Sequence, residues 1–296
     1  MPPEPSPVPR IVTPGLLRGW PLPDPGEDKN ARGRVVLLAG SRRSPGAVLL
    51  AAEAALRAGS GKVTAATIDE VVPALAVAAP EVGVVPLDAN AAGRIDPGAA
   101  DTVVGDCGSA DVLLAGPGFV DPDDAVALLE GVLPRLDLAL VLDALGSAYL
   151  TAHPDGLHHL EGCAVLTVNP SELAQTAGVE DDDVAADPVA VAGEVAARSR
   201  VVVVCGGTEK HVVTPSGDAW TVEGGGPGLG ASGSGDVQAG IVAGLLARGA
   251  EPAQAAAWGG YVHARCGERL AAAVGPLGYL ARELPSQVPA IMTELS

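Results

Sequence analysis

The chain has 296 residues, with 18 basic and 36 acidic side chains and a formal net charge of −18. That charge, with only three Trp, three Tyr and one Phe, excludes a nucleic-acid surface, which needs neutralising cations and rings for base stacking. A hydrophobic content of 48% excludes wholesale disorder, and no apolar run approaches the ~18 residues of a membrane span. Cys107, Cys163, Cys205 and Cys266 lie far apart without a C-x-x-C pair, which argues against zinc or a disulfide framework and fits a reducing cytoplasm.

Residues 1–28 read as an extended proline-rich arm, with nine prolines in the first 25 positions and no apolar leader segment. Residues 29–296 carry no composition break and read as a single domain. Residues 34–40 form an apolar run ending in Gly40-Ser41 and predict a buried strand. Helix formers over 47–57, stopped at Gly59, predict a helix. A strand over 62–68 and a helix over 70–78 follow, then a strand over 111–115 ending at Gly116-Pro117-Gly118. Asp121 opens a helix to about residue 133, with its acids at the positive end. Strands over 138–142, ending at Asp143, and over 164–167, ending at Val-Asn169-Pro-Ser-Glu172, come next.

The pattern over 184–199 is helical, and 200–205 is the strongest strand of the chain. Apolar runs at 211–214 and 219–222 flank Pro215-Ser-Gly-Asp218 and predict a β-hairpin beside the sheet. A glycine-rich loop over 224–235 leads into a helix from Asp236 to about 248, and two helices over 252–274 and from 277 onward complete the chain. Strands alternating with helices imply an α/β fold, a mostly parallel sheet covered on both faces. Ligands of such sheets bind at the carboxyl ends of the strands. Gly40-Ser41, Gly116–Gly118, Asp143 and Asn169–Glu172 all stand there.

The glycine-rich loop is the richest chemical feature. Its backbone N–H groups can converge on one point at a helix N-terminus, which suits a phosphate, and Asp236 in the first turn is placed to take a proton from an attacking hydroxyl. The alternative is a flexible loop with an acidic cap. Asp143 reads equally as a metal or substrate ligand and as an N-cap. Glu172 either holds Mg²⁺ through water or closes a capping box with Asn169. Gly116–Gly118 either lets a ligand approach the backbone or is a plain turn. His153, His158 and His159 read as a solvated loop, His263 as a satisfied core histidine, Cys205 as an inert buried thiol, and Lys210 as a surface hairpin lysine that could otherwise reach a phosphate.

These motifs, taken in order, resemble the ADP/ATP-dependent NAD(P)H-hydrate dehydratases of the ribokinase-like superfamily. Gly225-Gly-Pro-Gly-Leu-Gly-Ala-Ser-Gly-Ser-Gly-Asp236 is similar to that family's G-N-P-G-M-A-T-G-G-T-G-D, and Asp28-Lys-Asn-Ala-Arg-Gly-Arg-Val35 to its H-K-G-D-x-G-x-V. Gly40-Ser41, Pro45-Gly-Ala47, Ala58-Gly-Ser-Gly61, Pro80-Glu81, Gly116-Pro-Gly118, Asp143 and His263 also fall where its motifs occur.

The resemblance implies a ribokinase-like three-layer α/β/α sandwich and a repair reaction. The hydroxyl on carbon 6 of hydrated NADH or NADPH is phosphorylated by ADP or ATP, and phosphate is then lost to restore the 5,6 double bond. It implies Mg²⁺ as cofactor and Asp236 as the base that also contacts substrate. Ala47, Gly116, Gly118 and Asn169 would touch the hydrated dinucleotide. Cys205, Gly206, Gly207, Thr208, Glu209, Gly233, Ser234 and Gly235 would touch the adenine nucleotide, and Glu172 would hold the metal through water. A homo-oligomer is also implied, since single-domain members are often tetramers. The epimerase domain fused to some members is not expected, because only about 28 residues precede the first strand.

The chain departs from the family pattern at three places. Asn169 replaces a His, Leu145 replaces the second acid of D-A-D, and Cys205 replaces the Lys of K-G. Asn169-x-x-Glu172 also resembles the N-x-x-E of ribokinase-like sugar and vitamin kinases. A small-molecule kinase and a non-catalytic nucleotide-binding protein therefore stand as alternatives to the dehydratase.

Overall fold

Strands buried on both faces need no polar alternation, and here they are written almost entirely in Val, Leu and Ala. A computed structural model describes residues 8–24, 26–160 and 162–296. The chain runs from β1 (Arg10–Ile11) and α1 (Pro14–Arg18) into β2 (Arg34–Leu38), α2 (Gly46–Arg57), β3 (Lys62–Ile68), α3 (Val72–Ala78) and β4 (Gly83–Leu87). Next come α4 (Ala100–Cys107), β5 (Val112–Ala115), α5 (Pro122–Val132), β6 (Ala139–Asp143) and α6 (Ala148–Ala152). β7 (Ala164–Val168), α7 (Pro170–Ala177), α8 (Asp181–Ala186) and α9 (Pro188–Ser199) follow. β8 (Val202–Cys205) feeds the hairpin of β9 (Lys210–Val213) and β10 (Ala219–Val222). Finally, α10 (Ser234–Ala247), α11 (Pro252–Ala273) and α12 (Val288–Leu295) close the chain.

One ten-stranded sheet holds all of these strands in the order β1-β10-β9-β8-β7-β6-β5-β2-β3-β4. Every pairing is parallel except the two made by β9, so β9 alone runs backward. The strand ends are nearly level: Leu38 pairs with Ala66 and Ala115, Ala115 with Leu142, Leu142 with Leu166, and Val168 with Cys205. From β2 the chain winds outward to β4, then returns beside β2 and winds the other way through β5 to β8. The switch point therefore lies between β2 and β5, where an α/β sheet opens a crevice. There the Gly40 N–H donates to Pro117 O at 2.8 Å and Ser41 Oγ to Gly118 O at 2.9 Å.

Helices α2, α10, α11 and α12 pack together on one face, and α4, α5, α6, α7 and α9 on the other. α10 is apolar on every side and buried continuously from Val237 to Ala247, between α2 and the centre of the sheet. Its Gly240 and Gly244 lie directly against the Ala51 and Ala55 carbonyls of α2, where an added Cβ would collide. No helix among the described residues is long and apolar enough to cross a membrane.

Several elements differ from the sequence expectation. The arm expected over residues 1–28 is docked along much of its length. Arg10–Ile11 pairs with β10, Val12 and Leu17 are buried, and Trp20 stacks on Trp220 at 5.4 Å between centroids. Trp258 Nε1 donates to Trp20 O at 2.9 Å and fastens the segment to α11. Met1–Pro7 lie outside the described residues. The helix expected over 184–199 is two helices, because Pro188 holds Asp187 out of helical geometry and leaves it to cap α9 through Ala190 N–H at 3.0 Å. The last expected helix forms only at Val288–Leu295, after two short 3-10 turns. The hairpin is part of the sheet itself rather than beside it.

Candidate active site

A cleft of about 910 Å³ opens over the carboxyl ends of β6, β7 and β8, roofed by the glycine-rich loop and the start of α10. Asp143 ends β6, buried. Its Oδ1 accepts from Thr167 Oγ1 at 2.7 Å, while its position before the next turn makes no side-chain cap. Burial, reinforced by the Asp236 carboxylate, pushes the Asp143 carboxyl up to about 8. Ala144, which follows it in the cleft lining, is held at φ +47°, a left-handed geometry that costs a non-glycine residue ~1–2 kcal/mol.

Asp236 stands in the first turn of α10, and burial together with Glu172 raises its carboxyl to about 6. Gly233 turns the chain into that helix at φ +87°, closely backed by Leu50 of α2. Ser234 is buried and its Oγ lies 3.0 Å from His263 Nε2, whereas Gly235 has open space before it. The loop thus presents main-chain N–H groups at the positive end of a helix, and an anion is what such a place stabilises.

Asn169 and Glu172 both line the cleft and form the capping box of α7. Asn169 Oδ1 accepts from Glu172 N and Glu172 Oε2 from Asn169 N, each at 2.9 Å. Burial raises the Glu172 carboxyl, and its Oε1 has no hydrogen-bond partner among the described residues. Gly206, Gly207 and Thr208 line the cleft after β8. Cys205 does not: its thiol is buried, pushed up to about 12 by desolvation, and Glu209 is likewise outside the lining. Gly116 lies behind the cleft, against the Asp143 carbonyl, and Gly118 packs on Ala47 and Gly40 at the switch point. Ala47, Gly116 and Gly118 are therefore neighbours of the cleft rather than part of its wall. Ala47 sits one turn before Leu50, the residue that backs Gly233.

Thr167 and Gln238 line the cleft without having been read from the sequence as site residues, and Lys210, for which a phosphate contact was the second reading, lines it too. Gln238 had a signal, as the one amide in the apolar run of α10. His263 is only half satisfied. Its Nδ1 is buried without a partner among the described residues, and burial, with the Lys210 charge, holds the ring well below the usual histidine range and so neutral. His153, His158 and His159 lie elsewhere, bonded to Glu130, Arg198 O and Leu133 O.

A family model described as NAD(P)H-hydrate dehydratase matches residues 35–290. The chain belongs to the NAD(P)H-hydrate dehydratase family. An ADP-dependent (S)-NAD(P)H-hydrate dehydratase from Xanthomonas campestris pv. campestris is 43% identical, over 97% of both chains. The chain is also similar to a solved ADP/ATP-dependent NAD(P)H-hydrate dehydratase from Bacillus subtilis, co-crystallized with ATP and Mg²⁺, at 25% identity and a TM-score of 0.79 over 97% of this chain and 99% of that one. A ribokinase-like superfamily protein from Enterococcus faecalis shares the fold at 23% identity and a TM-score of 0.82, over 97% and 96% of the two chains. The three-layer ribokinase-like architecture expected from the sequence is the one observed.

Against the dehydratase family pattern, the departures fall in distinct surroundings. Leu145 is half-buried in the turn after β6, Asn169 is engaged as a cap, and Cys205 is sealed inside the sheet. Lys210 corrects the expectation of a surface hairpin lysine, since it is 4% exposed. The physical reason is the pleat. Successive residues of β9 face opposite sides of the sheet, and Lys210 takes the side covered by α11.

Proposed function

We propose that the protein removes water from hydrated NADH and NADPH in a reaction driven by ADP or ATP. The observation that carries this reading is the Asp236 carboxylate at the head of α10, beside the Gly233–Gly235 main chain, in a cleft of about 910 Å³. In this reading the hydroxyl oxygen on carbon 6 of the reduced ring attacks the terminal phosphorus of the nucleotide, and the bond from that phosphorus to its bridging oxygen breaks. Asp236 accepts the hydroxyl proton. With a carboxyl value near 6, it is ionised at neutral pH yet basic enough for the task. The N–H groups of residues 233–235 hold the charge of the transferring group. The phosphate ester then loses phosphate as the carbon–oxygen bond breaks and carbon 5 gives up a proton to water, which restores the double bond.

In this reading the adenine nucleotide lies against Gly206, Gly207, Thr208 and residues 233–235, and the hydrated dinucleotide against Asn169, reaching towards Ala47, Gly116 and Gly118 beside the cleft. Asp143, Glu172 and Asp236 are hard oxygen donors, and the Asp236 and Glu172 charges help to keep the proton on Asp143, a set that suits Mg²⁺. No group of three His, Cys, Asp or Glu stands close enough to cage an ion among the described residues, so the fit is to an ion held through water, with Glu172 as the principal anchor. When bound, Mg²⁺ neutralises phosphate charge.

Incubating the purified protein with Mg²⁺, ADP or ATP, and hydrated NADH tests the proposal. NADH absorbance is expected to return. Nucleotide consumption with another alcohol but no return of absorbance would favour a small-molecule kinase. Binding without turnover on any substrate would favour a non-catalytic nucleotide-binding protein.

A further inference from the structure

We propose that Lys210 is the fixed positive charge that holds the phosphate chain of the adenine nucleotide, delivered into the cleft from the first residue of β9. This rests on the nucleotide-dependent reading above. Among the described residues, Lys210 is the only Lys or Arg that lines the cleft, which otherwise carries the carboxylates of Asp143, Glu172 and Asp236. A polyanion entering such a place needs a cation, and main-chain dipoles alone supply only partial charge.

The placement follows from topology. Because β9 alone runs backward, its first residue rather than its last lies at the carboxyl edge of the sheet. Lys210 passes its stem over Gly260 of α11, with Cδ 3.6 Å from where a Cβ would stand. It ends among the loops after β8 and before α10. His211 faces the other way and meets Thr221 Oγ1 at 3.1 Å.

Among the described residues the ammonium has no counter-ion in contact. Lys210 Nζ makes no hydrogen bond or ion pair among the described residues, yet it is not among the sealed polar atoms, so it opens to the cleft. Glu268 of α11, whose charge reaches it, is already engaged by Gly225 N–H at 3.2 Å and by Arg265. His263 is neutral, and the Cys205 thiol is protonated. Burial pulls Lys210 down to about 8, against Glu268, so the side chain is still mainly charged at neutral pH. A buried cation without a partner is costly unless a ligand completes it.

The test is calorimetric titration of the full chain and of Lys210→Met and Lys210→Arg with ADP and with adenosine, all with Mg²⁺. The Met variant is expected to lose about ten- to a hundredfold in ADP affinity, as for a charge-assisted contact, and nothing in adenosine affinity. The Arg variant should stay within about threefold. ADP binding by the Met variant equal to the parent's, or an equal loss for ADP and adenosine, overturns the proposal. Lys210-dependent ADP binding by a protein that restores no NADH would sink the dehydratase reading and leave this one standing. Should the Met variant not fold, acetylation of the unaltered protein decides. Lys29, Lys62 and Lys210 are its only lysines, and ADP is expected to protect Lys210 alone. Equal acetylation of Lys210 with and without ADP overturns the assignment.

Discussion

Two carboxyl groups of the cleft carry opposite expectations with pH. Asp236, near 6, must be ionised to act as base, so turnover is expected to fall as pH drops through about 6. Asp236→Asn should lower kcat by about 10²–10⁴-fold while ADP still binds; a mutant with parental kcat would remove the base from the mechanism. Asp143 is raised from 3.8 to about 8 by burial first and Asp236 second, so the native state keeps a proton that the unfolded chain releases. Stability without Mg²⁺ should therefore decline as pH rises from about 4 to about 8 and level off above. Asp143→Asn, which still accepts from Thr167, should be more stable than the parent by roughly 2 kcal/mol or more near pH 8 and nearly equal near pH 4, as read by denaturant titration. Asp236 and its loop were legible because the glycines and the acid are contiguous in sequence. For Lys210 the sequence left a surface position and a phosphate contact both open, because the choice depends on which side of the pleat it takes and on β9 running backward, and neither is a local property.

Among the elements, α10 does the positioning. Its head is fixed because its body lies against α2 with no side chain between Gly240 and the Ala51 carbonyl. Gly240→Val should cost about 1–3 kcal/mol by overpacking and should also lower kcat, since the displaced helix carries Asp236 with it. Unchanged kcat in a destabilised variant would show that the head of α10 is held by the loop alone. At the end of α9, Arg200 occupies the left-handed C-cap at φ +55°. Arg200→Gly is expected to raise stability by about 1 kcal/mol in denaturant melts. Long apolar runs such as residues 62–68 announced their strands to the residue. β1 and β4 went unread because a two-residue strand has no periodicity and because Pro86 stands inside β4.

At the scale of the whole molecule, the parallel class and a cleft at the carboxyl ends of the strands were legible, since alternation of strand and helix dictates both. Strand order was not, because nothing local tells β5 to return beside β2. Nor was the docking of the N-terminal segment, whose prolines hide the buried Val12 and Leu17. Trp20→Ala should lower global stability by about 2 kcal/mol, losing its stack on Trp220. The same melt with Trp220→Ala and with the double variant would measure the coupling, and additive losses would argue against the stack.

The two residues of β1 matter beyond this docking. A sheet this wide has two outer rims whose unpaired amides invite a neighbouring chain to add on. At one rim β4 carries Pro86, which has no N–H to offer. At the other, Arg10 and Ile11 cover the outer side of β10, and Arg10 lays its guanidinium over Trp220. Arg10 and Ile11 thus cap this rim, and a protein trimmed of them is expected to present the ladder of β10 to any other copy it meets.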